Sequence, residues 1–597
     1  MKLNSRAHAN APTMHRDLFF VGNTSGSTVA ALFRVPAALL VPAICGLPAV
    51  ALAAEGLPPG ATQQIEEISR QRVPILPLPA TPDFNLRLQA PEKSAVPRAV
   101  EELVFEIKGV KVSGNTLFSQ AQIDAIFAPA IGPAVTLEVL RNAAEALETR
   151  FREKGFFLTR VFVPPQQVKD GVFEVQVIEG YLSAVYVDGA PNDKLRQRIE
   201  AITGPLLNKR PIDLATIERA LLLINDLPGV IGTSLLRQGA DLGASEIVVT
   251  VAQLPDSHLV TFNNTGSRTV GPITLGVNST FFNPFKRSGS LNVGVTAGGD
   301  LENIDELQAV TARYSMPIGT NGAIFSFGGL ASNAIPGGTI RDLGIRALSQ
   351  SVSPRLRLPL LRTRPNSIYL DLGLAVNRSR TILAGQVLSF DKTTVAEASV
   401  SWAQNGWGNG TTNASIGLFH SLPILDHTKV SAETTGTNVK DEDFFKVNFS
   451  LNRIQQTLIK GMSILGQVQG QWTDDRLPTG EYVAFGGVGI ARGFDGGASA
   501  GDKGIGGLLE LRYDSSVSRQ PYIGNIQFYA FVDGGKAFLN DPAGTPPPKV
   551  TSNGFGMRFP FSTNGFMDIQ VANAHQRLDS GNQRDDPRIL FSGVLRF

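Results

Sequence analysis

Two short stretches hold the residue types from which a buried charge contact is built. Ile490-Ala491-Arg492-Gly493-Phe494 lies in a glycine-rich segment, residues 474–503, between two strand-like segments. Phe531-Val532-Asp533-Gly534-Gly535 lies inside a strand-like segment, residues 524–536. Side chains alternate across a strand, so Phe531, Asp533 and Gly535 share one face and Ile526, Phe528, Ala530 and Val532 the other. The second face is uniformly apolar and is assigned to lipid. A carboxylate in lipid is costly, so Asp533 is expected to face an interior. A guanidinium grips a carboxylate through two parallel hydrogen bonds, which fixes geometry better than an ammonium does. The expected contact is Arg492 with Asp533. Gly493 would allow a tight fold, Phe494 would pack beside Phe531, and Gly535 would leave room for another backbone. Such a pair is a structural latch rather than a catalytic dyad, because losing one partner strands a costly charge.

Other chemistry is poorly supported. Gly497-Ala498-Ser499-Ala500-Gly501 has the G-x-S-x-G pattern of serine hydrolases. That motif needs a strand-to-helix elbow and triad partners, and no helix follows here. The histidines (His8, His15, His258, His420, His427, His575) have no metal-ligand spacing, and no phosphate-cradling loop is present. The sole cysteine, Cys45, falls in a targeting segment. No enzyme activity, metal or cofactor is expected. A net charge of +2 implies no nucleic-acid partner.

The elements that position the two stretches follow from composition and periodicity. A length of 597 residues implies several domains, and 18 % charged residues with abundant glycine is unlike a disordered chain. Residues 1–53 read as a secretory signal: Lys2, Arg6, Arg16 and Arg34, then an apolar run from Val35 to Ala51, then Ala51-Leu52-Ala53. No later window is long and apolar enough for a spanning helix, so the exported chain is periplasmic, secreted or a closed β-barrel.

From residue 257 helical spacing disappears, and sixteen strand-like segments recur to residue 597. Expected strands include 343–354, 366–378, 394–404 and 504–514. Connections alternate in length as in outer-membrane barrels: 379–393, 420–442, 474–503, 537–550 and 574–586 point outward, while 317–320, 405–408, 456–459 and 561–562 point inward, with the first outward loop and the inward connections 355–365 and 515–523 as exceptions. Arg492 then lies in the sixth outward loop. The basic inward connection 355–365 is expected to be solvated, with anionic headgroups as the other contact. In the last strand Ile589, Phe591, Leu595 and Phe597 share one face, and Arg588, Ser592 and Arg596 the other. A terminal Phe597 resembles the closing signature of outer-membrane barrel proteins.

Ahead of the barrel, residues 54–100 hold a short polar helix, Gln63–Arg72, and a proline-rich linker. Residues 101–180 read as β-α-α-β-β. Ser119 and Gln122 have capping-box spacing, and Gly155 closes the second helix. Residues 181–253 repeat the order, with Asn192 and Asp213 as helix caps. The first unit carries Val112-Ser113-Gly114-Asn115-Thr116, Glu153-Lys154-Gly155-Phe156, Pro165-Gln166 and Val177-Ile178-Glu179-Gly180. The second carries Leu223-Ile224-Asn225-Asp226-Leu227-Pro228-Gly229-Val230.

These motifs resemble POTRA domains, and the whole chain is similar to the two-partner secretion transporters that export haemolysins and filamentous haemagglutinins. In that family a loop motif of Val-Arg-Gly-Tyr/Phe type returns through the lumen to a Phe-x-Asp-x-Gly strand motif. Arg492, Gly493, Phe494, Phe531, Asp533 and Gly535 match, and Ala491 stands where the family has Val. The resemblance implies two α+β POTRA domains followed by a transmembrane antiparallel β-barrel of sixteen strands in the outer membrane of a Gram-negative bacterium, with the POTRA domains in the periplasm. It implies a pore that secretes a large exoprotein, captured unfolded by the POTRA domains, and a plug role for Gln63–Arg72. The implied partners are that cargo, outer-membrane lipid, and the barrel-assembly machinery during biogenesis. A barrel-assembly insertase of the same superfamily and a passive porin are the alternative readings.

Overall fold

In this computed structural model, residues 87–88 and 104–597 are described, apart from 269, 301, 425–442, 516–525, 541–545 and 577–586. The signal segment 1–53 and the helix expected at Gln63–Arg72 lie outside the described residues.

The first α+β unit runs β1 (Val104–Ile107), β2 (Gly109–Ser113), α1 (Gln120–Phe127), β3 (Gly132–Thr136), α2 (Leu137–Glu153), β4 (Arg160–Phe162) and β5 (Val172–Ile178). Where one opening strand was expected there are two. The chain breaks at Lys108, whose amide donates to the Gly171 carbonyl (2.8 Å), so β1 pairs with β3 and β2 with β5. The Ser119–Gln122 capping box starts α1. Helical spacing of Leu140, Leu147 and Phe151 puts these side chains against Ile123, Phe127 and Val175 in one core.

The second unit runs β6 (Tyr181–Asp188), α3 (Asp193–Thr203), α4 (Leu214–Asn225), β7 (Val230–Gln238) and β8 (Ala244–Gln253). Asn192 caps α3 by accepting from the Leu195 amide (2.9 Å), and Asp213 caps α4 by accepting from the Thr216 amide (2.7 Å). Ile199, Ile217, Ile224 and Ile247 centre its core. A two-residue strand, Arg87–Leu88, lies parallel on the edge of β7.

The barrel strands are β9 (Ser257–Asn263), β10 (Ile273–Phe282), β11 (Ser290–Gly299), β12 (Leu307–Ile318), β13 (Ala323–Ala334), β14 (Arg346–Arg362), β15 (Asn366–Leu383) and β16 (Gln386–Asn405). They continue as β17 (Gly410–Ser421), β18 (Phe445–Gln456), β19 (Met462–Trp472), β20 (Lys503–Ser515), β21 (Ile526–Phe538), β22 (Lys549–Ser562), β23 (Gly565–Ala574) and β24 (Arg588–Arg596). All neighbours are antiparallel, and β24 pairs with β9 to close the barrel. At that seam Phe597 exchanges backbone hydrogen bonds with His258 (3.0 and 3.1 Å) and stacks on its ring.

Strands β14 to β16 are longer than expected. The connection after β14 shrinks to residues 363–365, and most of 379–393 is strand. Polar residues do not end a strand while a neighbour satisfies its ladder, and here the alternation continues past the apolar band. The basic connection is also not a solvated turn. Arg362 makes a two-pronged pair with Asp226 of the second unit (2.8 Å for both prongs), and Arg364 lies 3.3 Å from Glu218. The second α+β unit therefore sits at the end of the barrel that carries this turn.

Candidate functional site: a loop latched inside the barrel

The segment between β19 and β20 folds back into the lumen. Residues 483–485 and 499–501 pair as a short antiparallel ladder within it. Gly486 and Gly487 have φ of +120° and +80°, a left-handed turn that glycine adopts without strain. Ala491 also has a left-handed φ, +62°, immediately before the arginine. Ile490, Ala491, Arg492, Phe494 and Asp495 are all buried.

The wall is shaped to receive this loop. Gly506 of β20 and Gly535 of β21 are directly opposed. A Cβ at either would come 2.4 Å from the ring of Phe485. Gly535 thus makes room for a phenyl ring and not for the backbone expected there. The close backbone approach is at Gly493, where a Cβ would come 2.9 Å from the Ala574 amide nitrogen. Phe485, Ile490, Phe494, Leu508, Tyr529 and Phe531 form one buried apolar cluster around the contact.

Strand β21 alternates as its sequence implies: Tyr529, Phe531, Asp533 and Ala537 are buried inward, and Phe528, Val532 and Phe538 are exposed outward. Arg492 and Asp533 do meet, with Nε 3.4 Å from Oδ2, but the two-pronged geometry expected is absent. The Arg492 guanidinium lies closer to Glu510 of β20, with Nη2 to Oε2 at 2.9 Å. Its Nη1 donates to Gln570 (3.0 Å), and it sits 4.1 Å over the Phe531 ring. Asp533 instead accepts from the Ser552 hydroxyl and from the backbone N–H of Arg492 (3.4 Å). It positions the loop backbone while Glu510 takes the charge.

Glu510 is fully buried and collects two more guanidinium groups, Arg512 Nε and Arg558 Nη1, each at 2.7 Å. Arg558 also binds Asp568 (3.0 Å). Arg588 of β24 donates to the Phe494 carbonyl and lies 3.4 Å from Asp495, which also faces Arg268 at 3.3 Å. Glu510 was missed although the signal was present. In Ile505–Leu511 the odd positions are apolar, which turns Glu510 inward by the argument that turned Asp533 inward.

The stem of the loop has its own anchor. Lys446 of β18 is buried and donates to the Glu481 carboxylate (2.6 Å) and to the Glu481 carbonyl (2.9 Å). Gln471 holds the Glu481 and Asp502 carbonyls, and the Asp502 carboxylate accepts from the amides of Leu477 (2.7 Å) and Asn540 (2.8 Å). Glu481→Gln keeps an acceptor but removes the charge, so it should loosen the stem by about 1–3 kcal/mol. In planar bilayers that variant is expected to show more frequent large openings than wild type. Exchanging the charges (Lys446→Glu with Glu481→Lys) should return the trace toward wild type; unchanged gating in the single variant would exclude the anchor.

The POTRA-motif positions serve packing and docking. A Cβ at Gly114 would come 2.2 Å from the Val177 carbonyl oxygen, and one at Gly180 2.3 Å from Leu158. Gly155 ends α2 with a φ of +92°. Gln166, after the exposed Pro165, pairs with the backbone of Glu174, accepting from its N–H (2.7 Å) and donating to its carbonyl (2.8 Å). Asn225 accepts from the Gly232 amide (2.7 Å). Asp226 binds Arg362, and past half-buried Pro228 the Phe282 ring of β10 packs on Gly229.

The fold agrees with that of the chain's relatives. Residues 243–559 match the family described as haemolysin secretion/activation protein ShlB/FhaC/HecB, and residues 105–180 match the ShlB-type POTRA domain. The outer membrane transporter CdiB of Dickeya dadantii (strain 3937) is 24% identical over 487 residues, 80% of this chain and 83% of that one. The heme/hemopexin transporter protein HuxB of Haemophilus influenzae (strain 86-028NP) is 22% identical over 540 residues, 87% and 91% of the two chains. The solved structure of CdiB from Escherichia coli has the same fold, with a TM-score of 0.69 at 20% identity over 91% of this chain and 100% of that one. The chain belongs to the haemolysin secretion/activation family, the two-partner secretion transporters of the outer membrane, and its lumen loop is part of a translocation pore.

Proposed function

We propose that the chain exports a large exoprotein of haemolysin or adhesin type, captured unfolded in the periplasm by strand addition to its α+β units. The observation that carries this reading is the edge of β7. There Arg87 and Leu88 lie parallel opposite Leu235 and Leu236, so this edge accepts an extended segment in the register of a strand. Strand addition takes affinity from main-chain hydrogen bonds and tolerates varied side chains, which suits an unfolded cargo. The pairing of Asp226 with Arg362 holds the same unit at the barrel rim, so captured chain is delivered toward the lumen. The loop latch acts by position, holding its tip against the wall through Glu510, Asp533 and Gln570. Export then draws on folding outside the cell or on preventing return.

Leu235 is exposed and lies on the accepting edge. A photo-crosslinker there is expected to trap the exoprotein during secretion. One at Val139, on the outer surface of α2, should trap far less. Equal yields at both positions would rule out capture at the β7 edge.

A further inference from the structure

We propose that the outer rim of the barrel carries two binding sites for the phosphate groups of the glycolipid that forms the outer leaflet. One is centred on Arg378 and Arg380 of β15, the other on Lys536 of β21 and Lys549 of β22.

The register brings like charges together. Arg378 lies directly opposite Lys392 of β16, and Lys536 directly opposite Lys549. Directly opposed side chains on one face are about 5 Å apart, and like charges so placed repel. Among the described residues, Arg378, Arg380, Lys536 and Lys549 form no ion pair with a carboxylate. An anion between Lys536 and Lys549 would turn that repulsion into an attraction, and one beside Arg378 and Arg380 would meet two guanidinium groups on the same strand face.

These charges face lipid. On β15, Arg378 and Arg380 continue the outward row of Ile368, Leu370, Leu372, Leu374 and Val376, while the inward positions Asn377 and Ser379 are neutral. On β21, Lys536 shares its face with exposed Val532 and Phe538, and on β22 Lys549 shares its face with exposed Phe555.

Their height is that of a headgroup. The turn after β14 docks on the second α+β unit, which fixes the inner end of β15. From Ile368 to Arg378 is 378 − 368 = 10 steps along β15. At about 3.4 Å per step and a tilt of about 40°, that is about 26 Å, close to the apolar band of such barrels. Arg378 therefore emerges where the apolar band ends on the outer side. Lys536 lies near the outer end of β21, beside the junction of the lumen loop with β20. Lys536 also lies 5.0 Å over the Phe538 ring, and Lys392 5.2 Å over Phe390, so each ammonium sits over a ring at the lipid boundary. A phosphomonoester is dianionic or nearly so and takes several donors at once, which fits a paired cation site better than a zwitterionic headgroup does.

The test uses the full-length protein in nanodiscs and native mass spectrometry. Three probes are compared: lipid A, lipid A stripped of its phosphates, and phosphatidylglycerol. Wild type is expected to retain lipid A through isolation and to lose the dephosphorylated form. Affinity should fall about fivefold for each charge removed in Arg378→Gln/Arg380→Gln and in Lys536→Gln/Lys549→Gln. Arg378→Lys should retain most of the binding. Heat-modifiable migration on gels confirms that each variant barrel is folded, and the two double variants are read separately if their combination is not. Equal retention of dephosphorylated lipid A would overturn the proposal, as would equal retention of lipid A by wild type and both double variants. Displacement of lipid A by phosphatidylglycerol at equal concentration would also overturn it.

Discussion

Replacing Glu510 with glutamine is expected to destabilise the barrel wall itself and to abolish secretion. Three guanidinium groups, from Arg492, Arg512 and Arg558, converge on this fully buried carboxylate at 2.9, 2.7 and 2.7 Å. Glutamine preserves the shape and one acceptor but removes the only charge that all three share. Arg558 retains Asp568 and Arg492 retains Asp533, while Arg512 loses its ion pair. A buried pair broken from one side typically costs about 3–5 kcal/mol, because the surviving charge is left desolvated. Here the loss falls on the wall of β20 to β22 and on the loop tip together. In a urea titration of the purified barrel the unfolding midpoint should drop markedly, and no exoprotein should reach the medium. Glu510→Asp keeps the charge at a shorter reach and should recover part of the midpoint. An unchanged midpoint in Glu510→Gln would mean that the three arginines are hydrated in the lumen and that the network has little weight.

Much of this site was legible in the sequence because one rule, the alternation of strand side chains, governs a barrel wall. It placed Asp533 inward and Ile526, Phe528, Ala530 and Val532 outward without any knowledge of neighbours. The same rule reaches Glu510 and Arg588, but alternation says only which face a charge is on. Which of several inward carboxylates takes a guanidinium depends on where the loop tip lands, and that is set by shape. The ring of Phe485 seats on Gly506 and Gly535, and Gly493 passes beside Ala574. Neither contact has a local sequence signal, since each joins residues far apart in the chain. The ends of β14 to β16 were hidden for a different reason. Polarity marks the end of the lipid band, and a ladder that stays paired runs on past it. The Asp226–Arg362 pair was invisible because it joins two domains across 136 residues.

Arg492→Ala should separate the function of the loop from the stability of the wall. Without that guanidinium, Glu510 still holds Arg512 and Arg558, so the carboxylate is not orphaned. Asp533 still accepts from the Ser552 hydroxyl, and its bond from the backbone amide at position 492 does not need the side chain. The truncation takes away what holds the loop tip: the guanidinium's grip on Glu510, Asp533 and Gln570 and its seat on the face of Phe531. The barrel should therefore reach the outer membrane at wild-type level with a urea midpoint within about 1 kcal/mol of wild type, because its own buried groups stay satisfied. Secretion should fall at least about tenfold, which corresponds to about 1.4 kcal/mol of weakened loop positioning. Arg492→Lys is the sharper control. An ammonium restores the charge but cannot reach Glu510, Asp533 and Gln570 at once from a planar fork, so its secretion should fall between alanine and wild type. Full secretion by Arg492→Ala would show that the tip contact is dispensable for transport. Abolished secretion with a collapsed urea midpoint would instead make Arg492 part of the wall, and the division between loop and wall would then be wrong.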